Sequence, residues 1–113
     1  GAKVLVLGIA YKKDIDDPRE SPSFDLLSKL LKLGADVSYH DPHIPVAPRM
    51  RSWPNLPPFR SVTLTPELLR ASDVVLIATD HSAVDYSLVA ANAPLIVDTR
   101  GVYRGVHPNV VKA

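Results

Sequence analysis

Three cations, Lys12, Arg19 and Arg100, stand where they could together hold an anion. Lys12 and Arg19 belong to GIAYKKDIDDPRESP (residues 8–22), which sets three cationic side chains, three aspartates, one glutamate and two prolines between an apolar run and a leucine-periodic segment. An ammonium brings a point charge to a phosphate, and a guanidinium brings a planar fork for two oxygens. Ser21 and Pro22 suit the N-cap and first position of a helix. A helix starting there aims unpaired N–H groups and a partial positive charge at the same spot. The chemistry this suggests is phosphate binding through side chains. The stretch has Gly8 and then no glycine until Gly34, so the G-x-G-x-x-G loop that brings backbone against a pyrophosphate is missing. The competing reading is a solvated loop in which Asp14, Asp16 and Asp17 neutralise Lys12, Lys13 and Arg19.

Other constellations carry less. Read as a calcium loop from Asp14, DIDD puts Arg19 where glycine is needed and Pro18 at a ligand position. Asp80, His81 and Ser82 have the residue types of a hydrolytic triad, but adjacent side chains rarely converge on one another. His40 and His43 flank Asp41-Pro42 and suit surface or capping roles better than a metal site. Trp53 suits the pinning of a proline-rich loop. No catalytic residue and no metal ligand is assigned.

Elements must bring these groups together. Residues 3–8 are apolar at nearly every position, the pattern of a strand buried on both faces of a parallel sheet. A helix follows from Pro22, with Phe24, Leu27, Leu30 and Leu31 at helical spacing and Gly34 as its C-cap. ADVSYHD (35–41) is a second strand, completing a βαβ unit whose crossover is expected to be right-handed. Residues 42–60 hold six prolines and form a long surface connection, with a short strand expected near Ser61 to Leu64. Thr65-Pro66 starts a helix to about Ala71, DVVLIATD (73–80) is a third strand, residues 86–92 a brief helix before Pro94, and LIVDTR (95–100) a fourth strand. This order predicts a three-layer α/β/α Rossmann-like domain with a mainly parallel sheet. Such sheets bind ligands beyond the carboxyl ends of their strands. Lys12, Arg19, Asp41, Asp80, His81 and Arg100 all fall at such ends.

With 113 residues, the chain is about one domain. Its net charge of +1 gives no electrostatic case for nucleic-acid or membrane binding. The absence of cysteine excludes disulfides, thiolate metal sites and a cysteine nucleophile within it. No apolar run approaches the roughly 18 residues of a membrane span, which makes a cytoplasmic setting the default. Gly1 leads straight into a strand, as in a fragment cut from something longer or a chain with a processed terminus.

GIAYKKDIDDPRESP, GADVSYHDP (34–42), ASDVVLIATDHSAVDY (71–86) and IVDTRGV (96–102) together resemble the C-terminal domain of the UDP-glucose/GDP-mannose dehydrogenase family. Within that family, TDHSAVDY is most similar to enzymes of UDP-N-acetylhexosamines such as UDP-N-acetylglucosamine 6-dehydrogenase. The resemblance implies that residues 1–113 are the UDP-sugar-binding domain of a longer enzyme, with an N-terminal NAD-binding domain and central dimerising helices. It implies two successive NAD-dependent oxidations of the sugar 6-hydroxyl to a carboxylate, supplying polysaccharide precursors. They would run through a thioester on a cysteine that precedes this domain, so the fragment alone would be inactive. By motif, Tyr11 and Lys12 would contact the UDP-sugar, Arg100 the UDP ribose or phosphate, and Arg19 the NAD pyrophosphate across the interdomain cleft. Some members carry phenylalanine where Tyr11 stands. The full-length protein would be a homodimer or larger. A stand-alone nucleotide- or phosphate-binding module, and a structural domain with idle loop charges, are the alternatives.

Overall fold

Val4, Leu5, Val6 and Leu7 form a strand with no polar side chain to turn towards water, so both of its faces have to be covered. In the computed structural model, which describes residues 2–9, 29–44, 60–103 and 107–112, they are the centre of the sheet. Strand β1 (Lys3–Leu7) lies between β2 (Asp36–His40) and β3 (Val74–Ile77). Beyond β3 come β4 (Ile96–Asp98) and β5 (Val110–Lys112), giving the order β2-β1-β3-β4-β5. Every pairing is parallel, with Leu7 level with His40 on one side and Ile77 on the other.

Alternate residues of β1 serve two cores. Leu5 and Leu7 pack with Val75, Ile77 and Ile96 against Leu69 of helix α1 (Pro66–Ala71) and Val89 of helix α2 (Tyr86–Asn92). Val4 and Val6 pack with Val37, Tyr39 and Ile44, and Leu30 and Leu31 cover them. Helical segments therefore cover both faces, as the three-layer prediction requires. Fully burying one such side chain is worth about 1.5–3 kcal/mol.

Local chemistry ends each element. Residues 29–32 are helical and close in a Schellman turn: Gly34 N donates to Leu31 O at 3.0 Å and Ala35 N to Leu30 O at 3.1 Å. Gly34 takes the left-handed conformation, φ +83°, expected of a C-cap glycine. Thr65 caps α1 by accepting from Leu68 N, with Pro66 at its start, and Asp85 caps α2 by accepting from Leu88 N. The start of the first predicted helix at Pro22, its N-cap Ser21, and Trp53 lie outside the described residues.

Three expectations need correction. The strand expected near residues 61–64 is a single bridge between Ser61 and Tyr39, because Val62 N is already bonded to Tyr39 O and the chain then turns into α1. The fourth strand ends at Asp98, whose carboxylate bends the chain back on itself. Strand β5 was not foreseen; three residues after a proline carry almost no periodic signal. Among the described residues no helix is long and apolar enough to cross a membrane.

Candidate functional site at the carboxyl edge of the sheet

The chain leaves β1 towards β2 on one side, while β3 lies on the other. This reversal makes a switch point, and open parallel sheets bind ligands in the crevice it creates. Gly8 and Thr79 form its floor. Gly8 has φ +86°, and a Cβ there would stand 2.5 Å from Thr79 Cβ and 2.6 Å from Thr79 O. Ala78 N and Thr79 N both bond Leu7 O, at 3.0 and 3.1 Å, and Gly8 N bonds His40 O at 2.8 Å. The open side of Gly8 therefore admits Thr79.

Arg100 reaches this edge from the turn after β4. Asp98 builds that turn: its Oδ1 accepts from Arg100 N at 3.1 Å and its Oδ2 from Tyr103 N at 2.9 Å. Burial alone would raise the Asp98 carboxyl, but the N–H groups of Tyr103, Val102, Arg100 and Gly101 outweigh it and hold it below its ordinary value. Thr99 Oγ1 bonds Ile77 O and fastens the turn to β3. Arg100 Nε donates to Ala78 O at 2.9 Å, so the guanidinium is anchored at one nitrogen on the carboxyl end of β3. Its two Nη groups have no protein partner among the described residues, and the residue is exposed. An aimed, half-anchored fork of this kind suits bidentate phosphate recognition.

Asp41 and His81, expected among the polar groups facing a ligand, are instead turned inward, 1% and 0% exposed. His81 Nε2 lies 2.9 Å from Asp41 Oδ2, which also accepts from Ile9 N at 2.8 Å; Asp41 Oδ1 accepts from His43 N at 2.8 Å. Burial opposes ionisation of Asp41, yet the bonds from His81, Ile9 and His43 prevail and lower its pKa. His43 sets its ring edge-on to His81 with centroids 4.6 Å apart, and His40 Nδ1 lies 2.6 Å from Val62 O. Asp41 and His81 are forty residues apart, and no local pattern in one sequence could have paired them.

Tyr11, Lys12 and Arg19, the other sequence-predicted site residues, lie outside the described residues. Ile9, two positions before Tyr11, is held at the edge through its bond to Asp41. A cleft of about 300 Å³ bounded by Lys3, Asp36, Ser38, Leu68 and Ser72 opens at the amino ends of the strands, the opposite end from Arg100. Among the described residues no three His, Asp or Glu side chains gather as metal ligands would.

Known proteins share this architecture. The sequence profile of the UDP-glucose/GDP-mannose dehydrogenase family, UDP binding domain, matches residues 5–105. UDP-glucose 6-dehydrogenase YwqF of Bacillus subtilis is 31% identical over 108 residues, covering 91% of this chain and 24% of its own. UDP-N-acetyl-D-mannosamine dehydrogenase of Methanococcus maripaludis strain S2 is 34% identical over 79 residues, 70% of this chain and 16% of its own. The solved NDP-N-acetyl-D-galactosaminuronic acid dehydrogenase of Methanosarcina mazei superposes with a TM-score of 0.72 at 28% identity, over 100% of this chain and 24% of that one. The chain thus spans about a quarter or less of these relatives. Their names carry UDP-glucose and UDP-N-acetylmannosamine, and none of the three carries the UDP-N-acetylglucosamine to which TDHSAVDY pointed. A parallel sheet in the order 2-1-3-4-5 and a profile match over residues 5–105 agree: the chain belongs to the UDP-glucose/GDP-mannose dehydrogenase family, as its UDP-binding domain.

Proposed function

We propose that this domain holds the uridine diphosphate of a UDP-sugar while the rest of an NAD-dependent 6-dehydrogenase oxidises the sugar 6-hydroxyl to a carboxylate. The observation that carries the proposal is Arg100, anchored through Nε on Ala78 O at the switch-point edge, its Nη groups without a partner among the described residues. Lys12 adds a point charge to the phosphates, and Tyr11 packs against the nucleotide or sugar. Arg19 reaches the pyrophosphate of NAD, whose main binding site is in another domain of the enzyme. The chain has no cysteine, so the thioester nucleophile also comes from elsewhere and the domain alone does not turn over. The preferred sugar is an N-acetylhexosamine, a reading that rests on TDHSAVDY and on the similarity to a UDP-N-acetyl-D-mannosamine dehydrogenase. The enzyme works as a homodimer or larger assembly, in the cytoplasm, and supplies uronic acids for polysaccharides.

Steady-state kinetics of the intact enzyme separate the two cation roles. Lys12→Ala and Arg100→Ala should raise KM for the UDP-sugar, and Arg19→Ala should raise KM for NAD. Each lost charge-assisted bond is worth about 1.5–3 kcal/mol, or roughly 10- to 150-fold. Equal weakening of one substrate by all three changes would overturn the assignment.

A further inference from the structure

A continuous chain of hydrogen bonds crosses the carboxyl edge. It starts at Ile9, whose N–H donates to Asp41 Oδ2, and passes to His81 through the same oxygen. Tyr86 Oη donates to His81 O at 2.8 Å, and Tyr103 Oη donates to Tyr86 O at 2.7 Å. Tyr103 N then donates to Asp98, the carboxylate that also takes Arg100 N. His81 reaches Arg100 by a second, shorter route, because Arg100 Nε bonds the carbonyl of Ala78, three residues before His81. Ile9 N and His43 N both donate to the Asp41 carboxylate, an arrangement that fits its ionised form and a His81 that donates from Nε2.

We propose that Asp41 and His81 are positioning residues for phosphate recognition: their buried bond fixes the separation between the end of β1 and the turn that carries Arg100. Neither touches the ligand. The proposal rests on the UDP-binding reading above. Its physical content is that a buried carboxylate stripped of one donor must find another. The bond ties Ile9, at the end of β1, to the loop 78–81 that anchors Arg100. Packed interiors respond to such a loss by shifting between discrete arrangements, so the displacement should reach Arg100.

Calorimetric or NMR titration of the chain with UDP tests this, at a temperature where circular dichroism shows each variant folded. His81→Leu removes the donor and keeps the bulk; His81→Gln keeps an N–H near the position of Nε2. Wild type should bind UDP, His81→Leu should bind roughly 3- to 30-fold more weakly, and His81→Gln should come within about twofold of wild type. A purely structural pair would lower the melting temperature in His81→Leu and leave the affinity of the folded protein unchanged; that result would overturn the proposal. So would a His81→Gln as weak as His81→Leu. Should His81→Leu not fold, Tyr86→Phe removes the bond to the His81 carbonyl and should weaken UDP by about two- to fivefold, with unchanged affinity counting against the proposal. Failure of the wild-type chain to bind UDP would sink the UDP-binding reading itself, an outcome distinct from equal binding by wild type and variants.

Discussion

Gly8→Ala probes the floor of the crevice. Two costs add. Gly8 has φ +86°, a conformation that costs an L-residue roughly 1–2 kcal/mol. The new Cβ would meet Thr79 Cβ at 2.5 Å, Thr79 O at 2.6 Å and Thr79 Cα at 3.0 Å. None of these atoms can rotate away, so β1 and β3 must part, an overpacking cost of about 1–3 kcal/mol. The sum, roughly 2–5 kcal/mol, is a large share of the 5–15 kcal/mol that holds an ordinary domain together. At about 4–8 °C per kcal/mol for a domain of this size, the melting temperature should fall by at least roughly 8 °C. Gly34→Ala is the control: φ is +83°, but nothing lies within 4 Å of its Cβ, so only the conformational cost of about 1–2 kcal/mol remains. Urea unfolding followed by circular dichroism gives both values. A Gly8→Ala variant that loses no more stability than Gly34→Ala would refute the steric argument and the tight approach of β1 to Thr79.

Two further predictions concern pH. Asp41 and Asp98 both have lowered pKa values in the folded protein, so their stabilisation is fully present above the ordinary carboxylate value near 3.9 and is lost as pH falls through the lower folded values; urea midpoints that stay level from pH 5 to below 3 would contradict this. Tyr103 behaves oppositely: burial, then the charges of Asp98 and Asp85, push its hydroxyl from 10.0 up to about 12. Its stabilisation is present below pH 10 and disappears as pH rises towards 12, a change of roughly 2–3 kcal/mol. Relative to Tyr103→Phe, wild type should therefore lose stability by about that amount between pH 9 and 12, and a constant difference would count against it.

Much of the fold was legible because its signals are local. The unbroken apolar run before Gly8 could only be an interior strand, and Thr65-Pro66 and Gly34 punctuate helices through chemistry contained within a few residues. Strand ends were read one to three residues too long, since residue types alone do not mark the point where side chains such as Asp98 turn the backbone. Arg100 was legible as a cation at a strand end, but its anchoring on Ala78 depends on the neighbouring strand and could not be read from position alone. The Asp41–His81 pair was illegible for the same reason. Its meaning lies in a parallel register that sets β1 between β2 and β3, and single residues flanking separate strands say nothing of who faces whom.

The most direct measurement of the central claim is an NMR titration of the chain with UDP and, separately, with uridine. Few charge-assisted bonds remain once the rest of an enzyme is absent, and immobilising a ligand offsets part of their worth, so UDP should bind near millimolar, about −4 kcal/mol. Binding should weaken with added salt, because the attraction is largely between exposed charges. UDP should shift the amides of Lys12, Ser21, Ser23, Phe24 and Arg100, uridine should shift them far less, and Arg100→Ala should weaken the response to UDP. Amides at these positions that stay still with UDP at several millimolar, or that move equally with uridine, would contradict a phosphate grip at this edge.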